Sequence, residues 1–349
     1  KSCLTAYLSE SHVDALTALT EHYCKGADVD WKACYAAETR YRLALPTYPF
    51  ERVRVWAEPK VSQVKGFDSQ LHPLVERCTG RQSQEWVYES DFNNETHWVV
   101  DDHKIKGTCV VPGTTYLEMA RAAVKDAKGW ASIDLRNICF LQPMVVAEGE
   151  TRRMQLSLSQ KGETVNFTIS SLDVESDDWV LHVEGGAECI TDLPNRTLPI
   201  EEIKQAATEI VEDYCIESDT GVFQFGPHWD AIRSTWTTPD VALAKLSLKP
   251  ELQHELESLA IHPSVLDNAM NLTSQSTGKT YLPFMYKSFK LYAPFTAEMY
   301  THVVPKTTVT GEEETHTYDV TLTDGEGNVI AESVGYITKK VHSFGFSQQ

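Results

Sequence analysis

The most constraining feature of this sequence is a pattern that occurs twice: one amphipathic helical segment, followed by several segments that alternate polar and apolar residues. The first helical segment, GTTYLEMARAAVKDAKG at 113–129, places Leu117, Ala120 and Val124 on one face and reaches a typical helix stop at Gly129. The segments MQLSLS, VNFTI and WVLHV then alternate with a period of two, which predicts β-strands.

The second half repeats this order. HPSVLDNAMNLTSQ at 262–275 predicts a helix, and MYTHVV, HTYDVTLTD and VIAESVGYITKKV predict the strands that follow. The proline-containing segment CITDLPNRTLPIEEIKQA at 189–206 is the expected join. We therefore predict two similar α+β units, at 61–195 and 196–349.

The first 60 residues differ from the rest. SHVDALTALTEHYCKG predicts a helix, whereas the prolines of LPTYPFERVRVW at 45–56 favour an extended connector. Tyr48, Phe50 and Trp56 could then lie along a neighbouring surface. We predict that residues 1–60 form a separate linker.

Composition limits the classes of function. The 349 residues carry a formal net charge of −19, which argues against a nucleic-acid surface because phosphate binding needs clustered Lys and Arg. No apolar stretch is long enough to span a bilayer, so we expect a soluble, cytoplasmic protein. The eight cysteines are scattered singly without metal-ligand spacing, which predicts reduced, mostly buried thiols and no metal site.

The chemistry concentrates in DDHKIKGTCVVPGTTYLEMARAA at 101–123. A single histidine such as His103 is more often structural than catalytic. Here, however, Gly107 permits unusual backbone conformations, and Pro112-Gly113 begins a helix whose free N–H groups could receive an acyl carbonyl oxygen. A neutral imidazole nearby could remove the proton α to that carbonyl.

His103, Gly107 and Pro112 satisfy H-x-x-x-G-x-x-x-x-P, which resembles the catalytic loop of dehydratase domains in modular type I polyketide synthases. Residues 1–56 resemble the linker that follows a ketosynthase or acyltransferase in such synthases. Other segments that resemble this family follow in order: LHPLV at 71–75, FGPHW at 225–229 (with Phe225, Gly226 and Pro227), HPSVLDNAMN at 262–271 and LPFMYKSFKLYAP at 282–294.

The resemblance implies an α+β double hotdog, in which two units each wrap an antiparallel sheet around a long helix and a tunnel runs between them. It also implies that His103 abstracts the Cα proton and that Asp267 protonates the departing β-hydroxyl. Apolar neighbours could keep the Asp267 carboxyl protonated near neutral pH. Gly113 would support the site, and His262, before Pro263, would pack the helix start or line the tunnel.

Two positions depart from the family pattern. Asn271 lies four residues after Asp267, on the same helix face, where the family usually has Gln or His. Phe225 occupies a position where the family commonly has Tyr, so a hydroxyl group is missing.

The first interpretation is dehydration of a (3R)-hydroxyacyl chain, carried on the phosphopantetheine arm of an acyl carrier protein, to an α,β-unsaturated thioester. It implies no metal or nucleotide cofactor, and its partners would be the carrier protein, other domains of the synthase and a second copy in a homodimer. The alternatives are a double-bond shift or an oxa-Michael ring closure on the same scaffold, which Phe225 and Asn271 keep open. A non-catalytic docking module is the third interpretation.

Overall fold

The computed structural model describes residues 12–34, 70–173, 176–214, 219–272, 279–306 and 312–342. The chain divides into two compact units, Lys1–Ala57 and Glu58–Gln349. In the first unit, helix α1 (His12–Cys24) confirms the predicted helix, and a short helix α2 (Trp31–Cys34) follows. The predicted connector at 45–56 lies outside the described residues.

The second unit is built on one antiparallel sheet of 13 strands, with a separate three-stranded sheet beside it. The strands are β1 (Arg77–Gln82), β2 (Glu85–Phe92), β3 (His103–Ile105), β4 (Thr108–Cys109), β5 (Ile133–Phe140), β6 (Arg152–Lys161), β7 (Thr164–Leu172), β8 (Trp179–Cys189), β9 (Glu209–Val211), β10 (Phe223–Phe225), β11 (Ile232–Thr237), β12 (Ala242–Ser247), β13 (Tyr281–Leu291), β14 (Glu298–Pro305), β15 (Thr315–Asp324) and β16 (Val329–Lys340). The large sheet has the order β1-β2-β6-β7-β8-β5-β13-β16-β15-β14-β12-β11-β9, and the small one has the order β10-β3-β4.

The two halves of the large sheet meet at one strand pair. β5 pairs with β13 in an antiparallel register that runs from Ile133 opposite Leu291 to Cys139 opposite Met285. Both strands contain buried and exposed residues, as expected for a sheet with one face against the core. The halves therefore share one continuous backbone hydrogen-bond network.

Each half places one helix against its strands. Helix α4 (Gly113–Lys128) packs on β5, β6 and β7, helix α6 (Pro263–Met270) packs on β12, and the two helices contact each other. Gly129, at φ 73°, ends α4 as predicted, whereas α6 ends earlier than the predicted helix at 262–275. The helices of this unit are α3 (Trp98–Asp101), α4 (Gly113–Lys128), α5 (Ile200–Ala206) and α6 (Pro263–Met270), with 3₁₀ helices at Pro227–Trp229 and Pro250–Glu257.

The structure extends and corrects the expectations from sequence. The predicted strands are present, but each central helix is also preceded by a strand pair, β1 with β2 and β11 with β12, which the sequence pattern did not single out. The expectation of mostly buried cysteines is wrong for the described residues, because only Cys109 is buried while Cys24 and Cys189 are exposed. Among the described helices, none combines the length and apolarity that crossing a bilayer requires.

Candidate active site

His103 begins a short hairpin whose turn explains the spacing to Gly107. β3 and β4 pair through Ile105 and Thr108, so only Lys106 and Gly107 form the turn. Both have positive φ, 50° and 78°, as two-residue hairpin turns that follow the strand twist require. Since nothing lies within 4 Å of a Cβ placed on Gly107, glycine is favoured there by backbone conformation and not by close packing.

The same hairpin fixes the histidine ring. His103 Nδ1 lies 2.7 Å from the backbone carbonyl oxygen of Val110. A carbonyl oxygen only accepts, so Nδ1 carries the hydrogen and donates it. Burial lowers the pKa of His103, which favours the neutral ring and leaves the Nε2 lone pair as the basic site.

The Pro112-Gly113 step starts α4 next to this hairpin. Pro112 has extended backbone angles, and Gly113 is the first helical residue. A Cβ on Gly113 would lie 3.0 Å from the Phe140 ring, so this helix start is closely packed. Thr114 Oγ1 donates to the carbonyl oxygen of Pro263 at 2.9 Å, which joins the N-terminus of α4 to that of α6.

The FGPHW segment of the second half reaches the hairpin of the first half. β10 pairs with β3, and this register places Phe225 opposite His103, with ring centroids 5.7 Å apart. Gly226 donates its N–H to the carbonyl oxygen of Asp102 at 2.9 Å. Pro227, which is exposed, begins the 3₁₀ helix that ends with Trp229.

Asp267 lies on α6 and is 8% exposed, the same value as His103. Its Oδ2 accepts from the indole N–H of Trp229 at 2.8 Å, and its Oδ1 accepts from the side-chain amide of Asn271 at 3.1 Å. Asn271 therefore reaches the carboxyl group, although its side chain is shorter than the Gln that the family often has there. The Asn271 side-chain oxygen accepts a long 3.4 Å hydrogen bond from the Tyr336 hydroxyl. Burial raises the pKa of Asp267 and favours the protonated acid.

His103 and Asp267 interact directly through their charges. An ionised Asp267 raises the pKa of His103, and a protonated His103 lowers the pKa of Asp267, although burial is the larger effect on each. Trp229 contacts both residues, because its ring centroid is 5.2 Å from that of His103 and its indole N–H donates to Asp267. The site thus holds a base and an acid that favour their uncharged forms together.

Sequence reasoning missed several members of this site. It gave Trp229 no hydrogen-bond role, although a tryptophan that is buried needs an acceptor for its indole N–H. It gave His228 no role, yet His228 bonds both Asp102 and Glu255. His262, which the sequence placed at the helix start, makes no side-chain cap there; its fully buried ring bonds Glu255 instead.

Two cavities of about 330 and 450 Å³ lie elsewhere in the described part of the chain. One is lined by residues around Ile200 and Tyr300, and the other by residues around Asn166 and Gly185. The substrate tunnel implied by the family resemblance therefore stays a prediction.

Gly226→Ala tests the packing between the two halves at the site. A Cβ on Gly226 would overlap the Asp102 carboxyl group, although the Gly226 φ of −86° suits any residue. We expect a loss of about 1–3 kcal/mol in the free energy of unfolding, measured by chemical denaturation, because the cost is steric. Gly80→Ala is the matched control, since its nearest contact would be an ordinary 3.6 Å. Equal stability of the two variants would contradict this packing.

Family comparisons identify both halves of the chain. A family model described as the polyketide synthase dehydratase domain matches residues 72–172, and one described as the polyketide synthase dehydratase N-terminal domain matches residues 216–346. The polyketide synthases PksN and PksL of Bacillus subtilis (strain 168) are 26% and 29% identical to the chain over 91% and 92% of its length. The chain spans only 6% and 7% of these two relatives.

Solved structures agree on the architecture. A trans-AT PKS dehydratase domain from Brevibacillus brevis is 27% identical, with a TM-score of 0.71 over 78% of this chain and 100% of that one. The dehydratase domain from the CurF module of curacin polyketide synthase is 23% identical, with a TM-score of 0.70 over 77% of this chain and 99% of that one. The predicted double hotdog fold is confirmed.

Proposed function

Because this chain belongs to the polyketide synthase dehydratase family, we propose that it removes water from a (3R)-hydroxyacyl thioester on an acyl carrier protein and leaves an α,β-unsaturated thioester. One observation carries the proposal. A buried imidazole from the first half and a buried carboxyl group from the second half interact, and burial favours the uncharged form of each. A dehydration needs this combination: a base that is not protonated and an acid that is.

The atoms balance in one acid–base exchange. His103 Nε2 takes the proton from Cα, the electrons of that C–H bond form the new double bond, and the bond from Cβ to its hydroxyl oxygen breaks. Asp267 gives its proton to that oxygen, and water leaves. The pair ends as imidazolium and carboxylate, which attract each other across the buried site.

Two hydrogen-bond donors stabilise the negative charge that develops on Asp267. The Trp229 indole and the Asn271 amide each donate to one carboxyl oxygen, and both lower the pKa of Asp267 against the stronger effect of burial. Donors that are already in place stabilise a charge at the moment it forms. They therefore help the acid to release its proton without removing the environment that keeps it protonated beforehand.

The thioester substrate would be bound at one helix end and delivered by its carrier protein. The N-terminus of α4 at Gly113 would receive the thioester carbonyl oxygen, because the first N–H groups of a helix carry partial positive charge. The carrier protein and the other domains of the synthase would be covalent neighbours, so tethering supplies a high effective concentration. The reaction needs two proton-transferring groups and no metal or nucleotide. Homodimerisation and a cytoplasmic location stay predictions.

The purified chain should be incubated separately with a hydroxyacyl carrier protein and with the matching enoyl carrier protein, and both products examined by mass spectrometry. We expect the hydroxyacyl species to lose the mass of one water molecule. An unchanged hydroxyacyl species would contradict the dehydratase proposal.

The incubation with the enoyl carrier protein tests the alternative functions. Phe225 faces His103 without the hydroxyl group that the family commonly places there, which favours examining a double-bond shift. A change in the absorbance of the enoyl species without a change in mass would support isomerisation, and ring closure after dehydration would remove the enoyl absorbance. No turnover in either arm would support the docking module.

A further inference from the structure

A chain of hydrogen-bonded side chains connects the segment of His103 to the start of the Asp267 helix. Asp102, which directly precedes His103, lies 2.6 Å from His228 Nδ1 through its Oδ2. His228 Nε2 lies 3.2 Å from Glu255 Oε1, and Glu255 Oε2 lies 2.9 Å from His262 Nε2. Nothing in the proposed reaction uses the protons of His228 or Glu255.

The partners of His228 determine its protonation state. Both ring nitrogens face carboxylate oxygens, which only accept hydrogen bonds, and a neutral imidazole has a single N–H. The ring can therefore bond both carboxylates only as the doubly protonated cation. His262 differs, because its Nε2 faces Glu255 while its Nδ1 faces the Ser264 hydroxyl, a group that can donate. The neutral ring satisfies both of its contacts.

Burial and aromatic stacking hold the cation in place. The side chains of His228, Asp102 and Glu255 are 13%, 13% and 15% exposed. The Trp98 ring stacks on His228 with centroids 4.1 Å apart and on His262 with centroids 5.0 Å apart. A cation over an indole face is favourable, and the same indole connects the two histidines. The described residues contain no group of three or more His, Cys, Asp or Glu side chains arranged to hold a metal ion.

We propose that His228 is a positioning residue: its imidazolium clamps the segment that carries His103 to the 3₁₀ helix and helix start that precede Asp267. The clamp acts through Asp102 on one side and through Glu255 and His262 on the other. Its effect on turnover rests on the proposed dehydration, whereas its charge and contacts can be tested without any substrate.

The charges around His228 give the pH dependence a definite sign. Burial alone lowers the pKa of His228, but hydrogen bonds and attraction from Asp102 and Glu255 outweigh it and raise the pKa to about 9. A raised pKa stabilises the fold fully below the unfolded value of 6.5, and this stabilisation is lost as pH rises through about 9. His262 stays neutral because burial lowers its pKa. Trp98, which stacks on both rings, does not titrate.

The first experiment observes the clamp directly. In the wild-type chain labelled with ¹⁵N-histidine, we expect both ring nitrogens of His228 to be protonated at pH 7.5, with a titration midpoint near 9. Glu255→Gln removes one carboxylate and should lower that midpoint. A midpoint near the ordinary value of 6.5, or a ring with one proton at pH 7.5, would overturn the proposal.

The second experiment removes the cation. His228→Gln should have a lower melting temperature than wild type at pH 6.5, and the gap should close as pH rises to about 9. The ¹⁵N titration of His103 should shift, because the segment next to it is no longer held. Turnover of the hydroxyacyl carrier protein should fall about 10- to 100-fold in kcat with little change in KM, since misplacement by about 1 Å can cost 100-fold.

The matched control is His254→Gln, which changes an exposed histidine of the 3₁₀ helix Pro250–Glu257 that also carries Glu255. Its Nδ1 lies 2.8 Å from the carbonyl oxygen of Glu251, within its own turn. We expect wild-type kcat and a melting temperature equal to wild type at every pH. The proposal would be overturned if the difference in melting temperature between His228→Gln and wild type did not depend on pH, or if the His103 titration did not shift. His228 would then contribute packing alone. If wild type fails to dehydrate any substrate while the cation and the His103 shift are observed, the proposed function fails and the clamp stands.

Discussion

His103→Phe is expected to lower kcat for dehydration of a carrier-bound hydroxyacyl chain by about 10²–10⁴-fold, the usual contribution of a general base. The phenyl ring keeps the contacts with Phe225 and Trp229 but has no lone pair to accept the Cα proton. Among the described residues, the side-chain hydrogen bond that this change removes is the one to Val110, so the fold should persist. Single-turnover mass spectrometry measures the chemical step, and thermal unfolding confirms that the variant is folded.

Asp267→Asn is expected to have an effect of similar size, about 10²–10⁴-fold in kcat, because the amide cannot donate a proton to the leaving hydroxyl. The double variant should lose little more than either single variant, since a base and an acid that work in one step are strongly non-additive. Equal turnover of Asp267→Asn and wild type would remove Asp267 from the mechanism and leave His103 without an acid partner.

Two exposed residues provide matched controls for these substitutions. His254→Phe and Asp240→Asn make the same changes away from the site, and we expect both to keep wild-type turnover. If His103→Phe is as active as His254→Phe, the assignment of the base is wrong.

The pH dependence of kcat should follow from the same pair. His103 must be neutral, so activity falls as pH drops through its pKa, which burial holds below 6.5. Asp267 must be protonated, so activity falls as pH rises through its pKa, which burial holds above 3.8. The two limbs belong to the coupled pair, and Asp267→Asn should remove the alkaline limb that the acid contributes.

Local patterns predicted the parts of this molecule that depend on local chemistry. The apolar face and the stop at Gly129 predicted the helix Gly113–Lys128 almost to the residue, and period-two alternation predicted β6, β7 and β8. The order of strands in the sheet was not predictable this way. The pairing of β5 with β13 joins segments about 150 residues apart, and no local preference encodes it.

The candidate site likewise combines contacts that local spacing predicts with contacts that depend on the tertiary fold. Spacing alone suggested that Asn271 and Asp267 share a helix face, and their hydrogen bond follows from that. The Trp229 bond to Asp267 depends instead on β10 crossing to β3, which places the FGPHW segment over the other half. Glu118 was missed entirely, because a glutamate within a helical segment is normally exposed, whereas here it is fully buried.

Glu118 connects three parts of the second unit through one buried carboxylate. It accepts from Nε and Nη2 of Arg121 at 2.7 and 2.8 Å and lies 3.1 Å from His72 Nε2. It also accepts the backbone N–H groups of Ala260 and Ile261, each at 3.0 Å, just before the helix that carries Asp267. Burial alone raises the pKa of Glu118, but bonds from His72 and attraction from Arg121 outweigh it and hold the pKa below 4.5.

Glu118→Gln should therefore lower the free energy of unfolding by about 3–5 kcal/mol, the range found when one member of a buried ion pair is removed. The amide keeps the shape but presents an NH₂ group to donors and leaves the Arg121 charge unpaired. Chemical denaturation at pH 7 measures the loss. Because a lowered pKa stabilises the fold above the unfolded value of 4.5 and this is lost as pH falls, the gap between wild type and variant should narrow in acid.

Glu257→Gln, an exposed change in the 3₁₀ helix that leads to the same segment, separates this role from a general effect of lost charge. We expect its unfolding free energy to stay within about 0.5 kcal/mol of wild type, as for most surface substitutions. A loss in Glu118→Gln no larger than in Glu257→Gln would mean that the five bonds do not hold the halves together. A large loss that persists unchanged in acid would mean that shape, and not the carboxylate charge, is what the core requires at this position.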